Sequence, residues 1–299
     1  MNEVILHEVG PRDGLQAEKE VVPTAKKLEW IRGIMASGID IVQVGSFVRA
    51  DRVPQMADTD ELFGALLAER TGKTTLSALV LNAKGLDRAL EAGVEMVCMG
   101  VSASDTHSRK NTGMSTFDAE REIIAMGRRC LAAGKKVQVC VQSAFGCGFE
   151  GHIDEGRVFA IVRAFGENGL TQISLADTAG HAHPDQVTRL YSEIFRIVPD
   201  ARCTGHFHDN YGLGIANIYA AMAVGVTTFE TSFAGLGGCP FTKDAAGNVA
   251  TEDLVHALQR GGRRKDVQLA SLIEVARGVR AFFGREMTGR VQKIGPLPY

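Results

Sequence analysis

A closed (β/α)8 barrel of the TIM-barrel type is the fold this sequence predicts, on three observations. Short β-branched apolar runs alternate with longer amphipathic stretches about eight times between residues 4 and 231, the pattern of βαβ units and a parallel sheet. Several amphipathic stretches end in Ser-Gly, Ala-Gly or Asn-Gly just before the next run, the glycine stop expected after a helix. The turn after the first run reads "EVGPRDGLQ", which lacks the G-x-G-x-x-G phosphate fingerprint of an open doubly wound sheet.

The elements follow in order. Strands are expected at 4–9 (VILHEV), 39–45 (IDIVQVG), 73–80 (KTTLSALV), 94–100 (VEMVCMG), 135–141 (KKVQVCV), 171–177 (TQISLAD), 201–208 (ARCTGHFH) and 226–231 (VTTFET). Helices are expected between them, at 23–38, 118–134, 154–169 and 184–198 among others. "EAGVEMV", "ENGLTQIS" and "AVGVTTFE" repeat one helix-glycine-strand junction. With no low-complexity linker, residues 1–299 read as one catalytic domain, its barrel over about 1–262. A C-terminal helical appendage takes up about 263–299, with a helix at 268–284.

Composition narrows the function. At 299 residues, 45% hydrophobic and 23% charged, the chain can bury a large core without a disulfide or metal staple. A net charge of −2, from 33 basic and 35 acidic residues, offers no field for nucleic acid. The six cysteines (Cys98, Cys130, Cys140, Cys147, Cys203 and Cys239) form no CxxC pair, so reduced thiols and a cytoplasmic location are expected. The opening "MNEVILHEVG" is no signal peptide, and no apolar stretch reaches the ~18 residues that span a bilayer.

In a parallel barrel, chemistry sits where the C-terminal ends of the strands open into βα loops. The first strand delivers Glu8, Arg12, Asp13 and Gln16 there, and the second delivers Gln43 in "QVGSF". The sixth brings Asp177 and Thr178, and the seventh brings His206 and His208 in "GHFHDN". The long segment after the eighth brings Cys239 and Asn248. His206 and His208 are two apart, so in a strand they share a face, where two imidazoles are awkward to bury unless they bind something. With Asp13 and the amide of Asn248 they make a mixed nitrogen and oxygen set. Such a set suits six-coordinate Mg²⁺ or Mn²⁺ and, less specifically, zinc. Plainer readings stand beside each residue. The histidines can be a structural hydrogen-bonded pair, and Arg12-Asp13 a solvated ion pair in a β-turn. Asp177 can cap a helix through Thr178 and Gly180, Cys239 can be inert in a loop, and Phe229 to Gly235 can be core strand and turn.

Taken together, "EVGPRDGLQAEK" (8–19), "GHFHDNYGLGIAN" (205–217) and "AGLGGCPFTKDAAGNVATEDLV" (234–255) closely resemble the 3-hydroxy-3-methylglutaryl-CoA lyase family. These are metal-dependent barrel lyases related to the isopropylmalate and homocitrate synthases. "SFVRADRVPQMADTDE" (46–61), "VSASDTHSRKN" (101–111), "FGCGFEG" (145–151) and "SLADTAG" (174–180) extend the resemblance over nearly the whole chain. It implies that Asp13, His206, His208 and Asn248 hold a divalent cation and that Arg12 stabilises the enolate of the leaving acetyl-CoA. It also implies that Cys239 is catalytic, that Asp177 stands behind the metal, and that the protein is a homodimer acting on an acyl-CoA. Asp13 or His206 is expected to take the hydroxyl proton, and Gln16, Gln43 and Thr178 to contact substrate.

The sequence departs from the family at the pocket. Gln43 stands where the family carries glutamate, Cys140 and Gln142 where it commonly carries Tyr and Ser, and Asn210 where threonine is expected. The expected activity is cleavage of a 3-hydroxyacyl-CoA, by default the methylglutaryl ester, with a related 3-hydroxyacyl-CoA as the competitor. A Claisen-type transferase is disfavoured because the chain stops soon after the barrel. A non-catalytic CoA- or metal-binding homologue is disfavoured because Arg12, Asp13 and Cys239 are intact.

Overall fold

The computed structural model describes residues 4–69, 72–238 and 247–297. All eight expected runs form strands: β1 (Ile5–Glu8), β2 (Ile41–Ser46), β3 (Thr75–Leu79), β4 (Met96–Ser102), β5 (Lys136–Gln142), β6 (Gln172–Asp177), β7 (Arg202–Phe207) and β8 (Thr228–Thr231). Each pairs in parallel with its sequence neighbours, and β8 pairs with β1 to close the barrel. β1 stops short of the run that predicts it for a local reason. The carbonyl of Val9 accepts the amides of Arg12 (3.0 Å) and Asp13 (2.7 Å), which turns the chain out of the ladder.

The helices around the strands are α1 (Thr24–Ala36), α2 (Thr59–Ala68), α3 (Ala83–Glu91), α4 (Asp105–Thr112), α5 (Thr116–Ala132), α6 (Glu155–Glu167), α7 (Pro184–Ile197), α8 (Gly214–Ala223) and α9 (Thr251–Arg260). One follows each strand, except that two follow β4. Alternation on the strands puts Leu6, Val42, Val44, Val97, Val139, Ile173 and Leu175 into one buried apolar layer with Ile31, Leu86, Ile161 and Ile194 of the helices. Each such side chain contributes roughly 1.5–3 kcal/mol.

The other strand face fills the barrel, and there the packing is polar rather than the branched aliphatics usual in such interiors. His7 (β1), Ser77 (β3), Gln138 (β5), Thr204 (β7) and Glu230 (β8) are all buried and joined by hydrogen bonds or close approach.

Beyond α9 the chain adds α10 (Leu269–Phe283) and α11 (Val291–Ile294). The ring of Trp30 on α1 meets Phe282 edge-on at 5.5 Å, Phe283 at 6.4 Å and Phe233 at 6.0 Å, which docks α10 against the barrel wall. Arg264, just before α10, is buried and donates to the carbonyl of Val4 (2.8 Å) and to Asp40 (2.6 Å). It ties the extra helices to the N-terminal end of the barrel.

Candidate active site

"GPRDG" does not form a solvated β-turn. Residues Gly10–Gly14 make one π-helical turn, a form often found at functional sites, and Gly10, Arg12 and Gly14 in it are buried. The turn rests on Glu8. The Glu8 carboxylate accepts the amides of Gly10 (2.7 Å) and Phe233 (3.0 Å) and the hydroxyl of Thr251 (2.6 Å). Only glycine fits at residue 10, because a Cβ there would lie 2.7 Å from Glu8 Oε1. Glu8 therefore braces the rim from behind, and burial raises its pKa to about 7.

The turn carries Asp13 to His206 and His208 at the end of β7, and one donor atom from each lies within 4.8 Å of the others. Asn248 comes from far along the chain by a local pairing. Asp209 donates to the Gly247 carbonyl (3.0 Å) and Val249 to that of Phe207 (3.2 Å), so residues 247–249 run antiparallel beside the end of β7. Asn248 Nδ2 then donates to Asp13 Oδ2 at 2.8 Å.

The donor chemistry fits a divalent cation. Asn248 Oδ1 and His208 Nδ1 are buried with no hydrogen-bond partner among the described residues, an arrangement that costs about 1–3 kcal/mol per group if nothing fills it. His206 Nδ1 is spent on Glu230 Oε2 at 2.7 Å, so Nε2 is the nitrogen left facing Asp13 Oδ2 at 4.0 Å. Two nitrogens and a carboxylate around one point, with the Asn248 amide bonded to that carboxylate, form a set of the kind that holds Mg²⁺ or Mn²⁺. Charge agrees with geometry. Burial works against the Asp13 carboxylate, yet Arg12, both histidines and Asn248 hold its pKa well below the carboxylate range. Burial, helped by His206, lowers that of His208 to about 4, leaving it a neutral ligand at pH 7.

Arg12, 9% exposed, lies beside this set. Its Nε donates to Gln43 Oε1 and its guanidinium NH to Asp13 Oδ1, so the charge is fixed by two partners rather than solvated. The site opens into a cavity of about 1280 Å³. Gln16, Gln43 and Thr178 line it together with Arg12, Asp13, His206 and His208, and so do Cys140 and Gln142. Thr178 also accepts the Ser143 amide at 2.9 Å.

Two expected residues stand differently. Asp177 is buried behind the wall, where its Oδ1 accepts the amides of His181 (2.7 Å) and Ala182 (3.1 Å). Those two amides, with a contribution from that of Gly180 but none from Thr178, are the partners of its side chain. Asp177 reaches the ligands only electrostatically, through His206, and burial lifts its pKa to about 7. Cys239 lies outside the described residues, while Gly237 and Gly238, which precede it in the sequence, line the cavity.

One residue escapes the sequence reading. Glu230, assigned there to core strand, is buried inside the barrel and shares its register level with both His7 on β1 and His206 on β7. Burial opposes its charge, but His206, His7 and Gln138 hold its pKa at about 2. The signal was a lone acid on the inward face of "VTTFET", since a buried carboxylate needs partners.

A family profile described as HMGL-like matches residues 3–279. The chain is 36% identical over 290 residues to the 3-hydroxy-3-isohexenylglutaryl-CoA/hydroxy-methylglutaryl-CoA lyase of Pseudomonas aeruginosa, covering 97% of this chain and 96% of that protein. It is also 36% identical over 306 residues to the (R)-citramalyl-CoA lyase of Chloroflexus aurantiacus, covering 99% and 96%. Among solved structures, the HMG-CoA lyase of Bacillus subtilis superposes with a TM-score of 0.94 at 32% identity, covering 98% of each chain. An Acinetobacter baumannii HMG-CoA lyase in complex with coenzyme A and 3-methylmalate gives 0.93 at 35%, covering 99% and 96%. The chain belongs to the HMGL-like family, that of the hydroxymethylglutaryl-CoA lyases.

Proposed function

We propose that this protein is a divalent-metal-dependent carbon-carbon lyase that cleaves a 3-hydroxyacyl-CoA, with 3-hydroxy-3-methylglutaryl-CoA split to acetyl-CoA and acetoacetate as the first reading. The observation that carries it is the buried guanidinium of Arg12 fixed beside Asp13, His206, His208 and Asn248 at the foot of a cavity of about 1280 Å³. Retro-Claisen cleavage breaks the C2–C3 bond. The C3 hydroxyl gives up its proton and becomes a ketone, the bonding pair passes to the thioester enolate, and C2 is then protonated. A bound Mg²⁺ or Mn²⁺ supplies Lewis acidity toward the substrate's hydroxyl and carboxyl oxygens.

The chain's own residues supply the rest. Arg12 offers preorganised positive charge where the enolate oxygen develops, and Gln43 and Asp13 keep it from swinging into solvent. Of the two proton acceptors, Asp13 is the poorer, because Arg12 and the histidines depress its proton affinity. Burial disfavours a proton on His206 as well, but Glu230 and Asp13 outweigh it and raise its pKa. His206 Nε2 can thus hold the hydroxyl proton whenever it is free of the cation. Cys239, proposed to mediate protonation of the carbanion, rests on its sequence motif alone. Gln16 and Thr178 contact substrate from the cavity wall, and Asp177 shapes the β6–α7 loop behind it. A cytoplasmic homodimer completes the proposal.

A second reading keeps the chemistry and changes the acyl group. Gln43, Cys140 and Gln142, which depart from the family pattern, all line the cavity, and the relatives named above include lyases for isohexenylglutaryl-CoA and citramalyl-CoA. The test is acetyl-CoA release from a panel of 3-hydroxyacyl-CoA esters, with and without Mn²⁺. Metal-dependent release from the methylglutaryl ester supports the first reading. Release only from another ester moves the assignment to the second, and no release from any ester refutes both.

A further inference from the structure

Glu230 is the one charged side chain in a hydrogen-bonded column that crosses the barrel interior below the ligands. His206 Nδ1 lies 2.7 Å from its Oε2, while Gln138 Nε2 lies 2.5 Å and His7 Nδ1 3.4 Å from its Oε1. The polarity of the column follows from who can donate. A carboxylate only accepts, so His206 must carry its proton on Nδ1 to use the 2.7 Å contact. His7 Nε2 lies 2.9 Å from Ser77 Oγ. Ser77 Oγ donates to the Val42 carbonyl at 3.2 Å, so it accepts from His7 Nε2, and His7 Nδ1 approaches Glu230 without a hydrogen bond. Thr204 Oγ1 donates to Gln138 Oε1 at 3.3 Å, which leaves the Gln138 amide NH₂ to face Glu230. Glu230 thus has two hydrogen-bond donors, His206 and Gln138, and strands β1, β3, β5, β7 and β8 all contribute to the column.

We infer that Glu230, oriented by Gln138, is a positioning residue for the cation. It fixes His206 in the Nδ1–H tautomer and holds its ring so that the Nε2 lone pair faces Asp13. A carboxylate behind a ligating imidazole fixes the tautomer and raises ligand basicity, and losing such a partner typically costs about 10–100-fold in metal affinity or activity. The inference rests on the cation site proposed above and adds to it a determinant that acts on the cation through His206. Gln138 acts one step further back. Without it Glu230 would be a buried carboxylate with a single hydrogen-bond partner, free to rotate away from His206.

The test uses the full chain stripped of metal, titrated with Mn²⁺ by calorimetry and by loss of the free-ion EPR signal. Wild type, Glu230→Gln, Gln138→Leu and Asp13→Asn are compared after matching their far-UV circular dichroism and melting temperatures. Glu230→Gln preserves shape, and Gln138→Leu leaves the carboxylate in place, so a folding failure in one variant leaves the other to decide. The expected result is Mn²⁺ affinity about 10–100-fold weaker in Glu230→Gln, a smaller loss in Gln138→Leu, and no binding in Asp13→Asn. A second readout is the ¹⁵N shift pattern of the His206 ring, which should report Nδ1–H in wild type and a changed tautomer population in Glu230→Gln. A merely structural role would leave that pattern unmoved. Unchanged affinity and tautomer in folded Glu230→Gln, beside a wild type that binds Mn²⁺, overturn this inference alone. Failure of the wild type to bind Mn²⁺ overturns the cation site and this inference with it.

Discussion

Glu8→Ala separates bracing from chemistry. Removing the carboxylate strands three donors at once: the amides of Gly10 and Phe233 and the hydroxyl of Thr251. Thr251 can turn to Thr231 Oγ1, 2.8 Å away, but the two amides have no such choice. Each buried unmet donor costs about 1–3 kcal/mol, so roughly 2–6 kcal/mol is lost before any cavity is counted. Unfolding entropy of about 2.1 cal/mol/K per residue gives roughly 0.6 kcal/mol/K for a chain of this size. The melting temperature should therefore fall by about 3–10 °C. Glu8→Gln keeps an acceptor for both amides and turns its NH₂ toward Thr251, so at pH 6, where Glu8 is largely protonated because its pKa is about 7, it should melt within about 2 °C of wild type. Differential scanning calorimetry at pH 6 measures both. Equal losses in the two variants would refute the assignment of Glu8 as a hydrogen-bond brace.

Three further outcomes are expected. Arg12→Gln should lower kcat by about 10²–10³ without weakening Mn²⁺ binding, since the guanidinium competes with a cation for Asp13; a parallel loss of Mn²⁺ affinity in calorimetry would contradict this. Burial raises the Glu252 pKa from 4.5 to about 8, so the unfolded chain ionises first as pH rises and stability declines between those values, by at most about 1.4 kcal/mol per pH unit. Glu252→Gln should flatten the fall of melting temperature from pH 5 to 8, and an unaltered slope would exclude Glu252 as its source. Trp30→Ala should cost about 3–5 kcal/mol and speed amide exchange in α10, where Phe282 and Phe283 lose their partner; protection unchanged in α10 would show that the appendage docks by other contacts.

The barrel was legible because its strands carry a near-continuous apolar signal, and parallel pairing in a (β/α)8 ring follows from alternation alone. Arg12, Asp13, His206, His208 and Asn248 were legible because they sit at strand ends or in a motif, where polar residues stand out. Glu230 was not, since a single acid inside a strand looks like solvent-facing alternation until closure of the barrel fixes which face is inside. Glu8 was misread for a related reason: two residues before the π-helical turn its side chain faces α9 and the turn after β8 rather than the cavity. Nor did the sequence carry the pairing of residues 247–249 with the end of β7, which depends on backbone geometry about 40 residues away from the histidines.

The central claim is that one divalent cation sits between Asp13, His206, His208 and Asn248, next to Arg12. Anomalous diffraction from crystals soaked in Mn²⁺ tests it most directly. The account requires a single strong peak about 2 Å from Asp13, His206 Nε2, His208 and the unpartnered Asn248 Oδ1. A map with no peak there, or with the ion held by other residues of the cavity, would contradict it.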